Sequence, residues 1–273
     1  MSHKLPDKVD VYLMDLRAIA ARQLDDYDRR HPGLIFAEPD FSLSVEQSYE
    51  LQFEVARLRE RRGERVAGYK IGCISRSMQN QLGLDRPVFG HVWESELHAS
   101  GSVLGTASFD GLAVEGEFAV RLAADVPSVE WFQHHPEVLM AGFVVIELHN
   151  YVFRGSAANR AAELIANNAL HAGVVLPVEE TPLRHADALL GAALRVLRGG
   201  EILGEATGRQ LEGGPVPGIV RLVEHLAQHG HRLRRGQLVL TGSPLPLWRV
   251  SSGDLIEVQC NEFGKAAKAL VEG

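Results

Sequence analysis

The sequence predicts an α+β protein. Two helical stretches come first, and after Gly63 short apolar runs alternate with glycine-rich turns. The apolar share of 45% and the charged share of 23% are those of a globular chain. At 273 residues there is room for one large domain, or for a small domain beside a larger one. The organisation expected is a helical N-terminal region, residues 1–65, followed by a β-rich domain, residues 66–273.

The first helix follows from Val9, Leu13, Leu16 and Ala20, which recur at helical spacing until the His-Pro-Gly at residues 31–33. A second opens at Ser44, three residues before Gln47, the spacing of a capping box. It runs through Leu51, Val55 and Leu58 to Gly63. Strands are then expected in "VAGYKIG", "LAVEGEFAVRL", "AGFVVIEL", "ALRVLRGGEIL", "GQLVLTG" and "GDLIEVQC", with a hairpin turning at Gly199–Gly200. Two helices interrupt them. One covers residues 157–172. The other, "GIVRLVEHLAQHG", has Ile219, Leu222, Val223 and Leu226 on one face and stops at Gly230.

Several function classes are disfavoured. A net charge of −7 argues against a nucleic-acid surface, which needs a basic face. The densest basic run, "RLRERRGER" at residues 57–65, falls on the tail of the second helix and reads as a solvated face. Cys73 and Cys260 are far apart and form no C-x-x-C. They suit a reducing compartment and exclude zinc held by thiolates. No apolar run approaches the roughly 20 residues that span a bilayer. The N-terminal stretch has no apolar core followed by a small-residue cleavage site, so the location expected is cytoplasmic.

Three stretches carry candidate chemistry. In "GLAVEGEFAV", Glu115 and Glu117 lie two apart and therefore on one face of a strand. Like charges beside a core repel and are costly to desolvate. A shared hard cation such as Mg²⁺ or Mn²⁺ would relieve them, as would a strand face open to water. Glu147, after the apolar run of residues 143–146, is a third carboxylate from a strand apolar on both faces. In "GYKIGCISRSMQNQLGL", Lys70 stands between Gly68 and Gly72, glycines that would let a ligand or another backbone come close. It is either an outward strand lysine or a group that pairs with a carboxylate and moves protons. In "LTGSPLPLWRVSSGD", Thr241, Gly242 and Ser243 end a strand, where hydroxyl and N–H groups could hold a carboxylate, or form a plain turn before Pro244. His134, His135, His229 and His231 fall in polar loop positions and read as surface residues.

In this order, "GYKIG" with Ser75, Phe89–Gly90, "VEGEFAV", "VIEL", "IANNA", the Gly-Gly-Pro at 213–215, "LTGSPLPL" and the Ser-Gly-Asp at 252–254, the chain resembles the fumarylacetoacetate hydrolase superfamily. The likeness is to its 2-keto-4-pentenoate hydratase and 4-oxalocrotonate decarboxylase branch, from about Ser44 to the C-terminus. The resemblance implies a mixed β-sandwich or roll with a smaller helical N-terminal region. It implies one Mg²⁺ or Mn²⁺ held by Glu115, Glu117 and Glu147. Lys70 and Glu94 would be the proton-transfer candidates, with the choice between Glu94 and Glu96 open, and Ser75, Asn168, Thr241 and Gly242 would face the substrate. The activity implied is hydration of 2-hydroxypenta-2,4-dienoate or a similar 2-oxo acid, in the breakdown of aromatic compounds. Decarboxylation of an oxalocrotonate, acylpyruvate hydrolysis and a degenerate 2-oxo-acid binder are the alternatives. A homodimer or larger homo-oligomer is implied, or an assembly with a related decarboxylase or hydratase subunit, with no nucleic-acid or membrane partner. The chain departs from the family pattern at His149, Asn150, Tyr151, Val152, Asn167 and the displaced Arg154, changes that touch the substrate pocket more than the metal ligands.

Overall fold

The structure, a computed structural model, describes residues 8–264 and 266–273, with side chains from Leu16 onward. It divides into two compact units. One comprises the chain through Glu64 together with Phe153–Asn167; the other comprises Arg65–Val152 and Asn168–Gly273.

In the first unit, helix α1 (Lys8–Asp28) pairs with α2 (Val45–Arg61). Of the expected apolar stripe, the side chains of Val9 and Leu13 lie outside the described residues. Ala20 is buried and Leu16 packs on the core with it. The capping box forms as its spacing predicts: Ser44 Oγ accepts from Gln47 N–H at 3.2 Å, and Gln47 Oε1 accepts from Ser44 N–H at 2.9 Å. Leu51, Ile35, Phe36, Ala162 and Ala166 complete the core. The last two come from the helix Arg160–Ala166, which the sequence reading left with the β-rich part. The basic run is consumed in ion pairs: Arg59 with Glu64 at 2.5 Å, Arg62 with Asp28 at 2.6 Å, and Arg57 with Glu54. Among the described residues of that run, Arg57, Arg59 and Arg62 are thus tied to carboxylates rather than left as a continuous basic stripe.

The second unit contains, among the described residues, a nine-stranded mixed sheet and a five-stranded sheet. The large sheet uses β1 (Val66–Gly72), β2 (Val88–Trp93), β3 (Leu97–Ala99), β5 (Leu112–Leu122), β6 (Leu139–Asn150) and β7 (His171–Leu176); β4 (Ser102–Gly105) belongs to the small one. Its main order is β2, β1, Leu238–Leu240, β5, β6, β7, β3. Gly68 is where β1 meets Leu238–Leu240 in parallel: a Cβ there would lie 1.9 Å from the Leu238 carbonyl oxygen, so the glycine admits a backbone. In the small sheet, Ala193–Arg198 and Glu201–Thr207 form the expected hairpin, with Gly199 and Gly200 both at positive φ (57° and 88°).

Alternation along β5 decides the rest. Gly116 faces the small sheet, where a Cβ would collide with Val196 at 2.4 Å. Glu115 and Glu117 therefore point to the opposite face of the large sheet. That face carries an apolar cluster of Ala119, Phe143, Val145, Leu238 and Leu240. Among the described residues, no helix is long and apolar enough to cross a membrane.

The helix Pro215–Gln228 buries Ile219, Leu222, Val223 and Leu226 as its periodicity predicts, and His225 with them. The His225 ring lies 4.7 Å from Phe89 and 4.5 Å from His229. Burial first, then His229 and His91, hold its imidazole down at about 3. The unfolded chain takes up this proton near pH 6.5, so the contribution is fully present above that value. It is lost as pH falls toward 3, at about 1.4 kcal/mol for each pH unit. Urea unfolding of His225→Phe is expected to show a flatter stability profile than wild type across this window.

Candidate metal and 2-oxo acid site

The register of β5 and β6 places Glu115 directly opposite Glu147, and Ala113 opposite His149. His149 follows Glu147 by two residues, so both point to the face that holds Glu115 and Glu117. One ligand atom from each of Glu115, Glu147 and His149 lies within 4.8 Å of the others. His149 Nε2 is 3.3 Å from Glu115 Oε2 and 3.5 Å from Glu147 Oε2. The second oxygen of Glu147 is held from behind: Oε1 is 2.7 Å from His171 Nδ1 and 3.4 Å from Lys70 Nζ. Glu117 accepts the Gly242 N–H on Oε2 at 2.9 Å. Its Oε1, the Oε2 of Glu147 and the Nε2 of His149 are buried without a hydrogen-bond partner.

Lys70 reaches the cluster because its neighbour gives way. A Cβ on Gly72 would lie 2.9 Å from Lys70 Nζ, so the ammonium occupies space that any other residue would fill. Lys70 also donates to the Ala169 carbonyl at 3.3 Å. That carbonyl is presented by three successive residues at positive φ, Asn168 (56°), Ala169 (52°) and Leu170 (60°). A left-handed conformation costs roughly 1–2 kcal/mol for each such L-residue, strain of the kind that collects at functional sites. The turn is pinned to β2 by Asn168, whose Oδ1 accepts from His91 N–H at 2.7 Å and whose Nδ2 donates to His91 O at 2.8 Å. Asn168→Ala is expected to cost about 1–3 kcal/mol in urea unfolding, from two lost hydrogen bonds and a left-handed alanine.

The cluster is electrostatically divided. Burial opposes charge on Lys70, Glu117, Glu147 and His149. Against it, Lys70 first and His149 next hold Glu147 well below the usual carboxylate range. Glu117 goes the other way: burial, then Glu147 and Glu115, push it well above that range. Lys70, despite burial, is lifted by Glu147, Glu115 and Glu117 and stays an ammonium. His149, also against burial, is raised to about 9 by Glu147 and Glu115. Without a metal, the charges of Lys70 and His149 and a proton on Glu117 offset the three clustered carboxylates. Oxygen-rich donors, two of them buried and unpartnered, suit a hard divalent cation, so the residues present fit Mg²⁺ or Mn²⁺.

Comparison with known proteins shows the family. The family model for the fumarylacetoacetate (FAA) hydrolase C-terminal domain matches residues 74–271. The chain belongs to the fumarylacetoacetate hydrolase family. It is 28% identical over 261 residues to 2-hydroxyhexa-2,4-dienoate hydratase of Comamonas testosteroni, covering 93% of each chain. It is 30% identical over 216 residues to 2-keto-4-pentenoate hydratase of Burkholderia vietnamiensis, covering 79% of this chain and 82% of that one. Among solved structures, 4-oxalocrotonate decarboxylase from Pseudomonas putida G7, complexed with magnesium and adipate, aligns with a TM-score of 0.80 at 18% identity. That match covers 95% of this chain and 98% of the other. The mixed-sheet fold with helices and a helical N-terminal region is that of the family.

Within this family member, the expected residues separate. Glu115, Glu117, Glu147, Lys70 and the Gly242 N–H share one neighbourhood. Thr241 is adjacent, but both its hydroxyl and its N–H donate to Phe118 O at 3.0 Å, which ties the strand end to β5. Ser75 is exposed, and its hydroxyl caps the helix Arg76–Leu82 through Met78 N–H at 3.2 Å. Asn168, expected at the substrate, spends both side-chain polar atoms on β2. Glu94 is not brought to the cluster: it is exposed and paired with Arg65 at 2.7 Å. The 3-10 turn of Glu94–Glu96 turns Glu96 inward instead, 3.9 Å from His171 Nε2.

Of the departures from the family pattern, His149 joins the cluster, while Asn150, Tyr151, Asn167 and Arg154 make structural contacts. Asn150 Oδ1 accepts from Asp110 N–H at 2.9 Å, and the Tyr151 carbonyl accepts from Arg249 at 3.0 Å; both fasten the start of β5. Asn167 pairs with Gln23, and Arg154 donates to Pro32 O at 2.9 Å, inside the first unit. Sequence reading missed His149 and His171 as members of the cluster. For His149 the signal was present, since it is two residues from Glu147 on a strand. His171 was hidden because the expected helix of residues 157–172 ends at Ala166, and the left-handed turn converts its continuation into β7.

Proposed function

We propose that this chain is a metal-dependent hydratase that adds water to 2-hydroxypenta-2,4-dienoate or a similar 2-oxo acid. Glu115, Glu117 and Glu147 would hold Mg²⁺ or Mn²⁺. The observation that carries this reading is the pair of buried, unpartnered carboxylate oxygens, Glu117 Oε1 and Glu147 Oε2, beside a buried lysine. When bound, the ion supplies Lewis-acid stabilisation of negative charge on a 2-oxo acid.

The chain's own groups supply the rest. Lys70 presents an ammonium that binds the substrate carboxylate and moves a proton at the conjugated chain. His171 fixes the orientation of Glu147 through the 2.7 Å contact. The Gly242 N–H does the same for Glu117. Glu96 takes the acid/base role that the sequence leaves open between it and Glu94, since it is buried on the side of His171 whereas Glu94 is exposed and ion-paired with Arg65. A homodimer or larger homo-oligomer in the cytoplasm completes the reading.

Decarboxylation of a 2-oxo diacid is the second reading. A cavity of about 200 Å³ bordered by Ile74, Thr241 and Pro217 is also lined by Arg76 and Arg221, cations suited to a distal carboxylate. Product analysis on metal-loaded protein separates the two. Hydration yields a 4-hydroxy-2-oxo acid and no CO₂. Release of CO₂ from an oxalocrotonate, with no hydration of the dienoate, would replace the first reading by the second.

A further inference from the structure

We infer that His149 is a fourth protein ligand of this centre, and that the chain consequently prefers a later first-row transition ion, such as Co²⁺ or Ni²⁺, over Mg²⁺. The inference rests on the metal-site reading above and narrows it.

The geometry is that of a shared ion. Two donors bound to one ion at about 2.1 Å lie roughly 3.0–3.4 Å apart, depending on whether the arrangement is octahedral or tetrahedral. His149 Nε2 lies 3.3 Å from Glu115 Oε2 and 3.5 Å from Glu147 Oε2, spacings close to those of two donors on one ion. The ring is 3% exposed and its Nε2 is buried without a hydrogen-bond partner. Two and four residues before Glu147 on the same face stand Val145 and Phe143, both in the apolar cluster. An imidazole at position 149 therefore interrupts a face where an apolar residue would pack. Burying an imidazole is costly, and a coordination bond beside Glu115 and Glu147 would offset that cost.

Selectivity follows from the donor. Mg²⁺ takes oxygen ligands, demands near-ideal octahedral geometry and gives up water reluctantly. Imidazole nitrogen suits ions further along the series, whose affinities rise from Mn²⁺ through Co²⁺ to Ni²⁺. Three carboxylates alone favour a hard ion; three carboxylates and a neutral imidazole favour a borderline one. The opposing possibility is that His149 is itself the cation of the cluster, paired with Glu115 and Glu147 and excluding a metal.

Pulsed EPR on full-length, chelator-stripped protein loaded with Mn²⁺ distinguishes these. A coupling from directly bound ¹⁴N is expected, replaced by the ¹⁵N pattern when the protein is grown with ¹⁵N-histidine, a comparison that needs no variant. His149→Val is expected to abolish that coupling and to lower the preference for Co²⁺ over Mg²⁺, by calorimetric titration, at least about tenfold. Mn²⁺ bound without nitrogen coupling would overturn the inference while leaving a carboxylate centre intact. A coupling that persists in His149→Val would assign the nitrogen to another histidine and overturn it too. Metal binding by His149→Val but not by wild type would establish the excluding role instead. If neither protein takes up a divalent ion, the functional reading falls with the inference.

Discussion

Glu147→Gln is expected to eliminate divalent-metal stabilisation and to leave the metal-free protein about 3–5 kcal/mol less stable, because it removes one partner of a buried ion pair. Glu147 is the hub of the cluster. Its Oε1 serves Lys70 at 3.4 Å and His171 at 2.7 Å, and its Oε2 faces His149 at 3.5 Å. Lys70 and Glu147 are 3% and 0% exposed in their side chains, so water cannot take over the pairing. A glutamine keeps the shape but carries no charge, which leaves the ammonium facing an amide. Turnover with added Mn²⁺ should fall about hundredfold or more, as expected when an ion loses a ligand that positions it. Urea unfolding of stripped protein and steady-state kinetics check the two halves separately. Wild-type stability in the stripped variant would mean that the Lys70 charge is balanced elsewhere.

Lys70→Met is expected to separate catalysis from metal binding. Removing the cation that offsets Glu147, Glu115 and Glu117 makes the site more negative, so a divalent ion should bind at least as tightly as in wild type. Turnover should nevertheless fall by roughly 10²–10⁴, the range for a positioned proton-transfer group. Calorimetric Mn²⁺ titration beside kcat and KM measures both effects. A variant with near-wild-type kcat would reduce Lys70 to a structural counter-charge.

Much of this was legible in the residue order, and what was not has definite causes. Period-two alternation suffices to put Glu115 beside Glu117 and His149 beside Glu147 on their own strands. It says nothing of register, and the pairing of Glu115 with Glu147 depends on how two strands joined by residues 123–138 align. The helix Pro215–Gln228 and the Ser44 capping box are local patterns, and both formed where the sequence places them. The stretch after Ala166 defeated local reading, because three non-glycine residues adopt a left-handed conformation that their types disfavour. That turn moves His171 from an expected helix to the strand beside Glu147. Glu94 and Glu96 could not be told apart either, since one tight turn decides which carboxyl faces inward. Asn168, Thr241 and Ser75 carry the right groups for a ligand, yet their hydrogen bonds go to the protein's own backbone.

The carboxylate cluster is proposed as a metal site for a chelating 2-oxo acid. Thermal unfolding of chelator-stripped protein tests it most directly, with Mn²⁺ added first and oxalate second, oxalate imitating the chelating end of such an acid. Ligands that bind only the folded state raise its apparent stability. Mn²⁺ should stabilise the wild type, oxalate should stabilise it further only when Mn²⁺ is present, and Glu115→Ala should lose both effects. A transition that neither ligand moves in the wild type would contradict the account and leave Glu115, Glu117 and Glu147 as a cluster balanced by Lys70, His149 and protons alone.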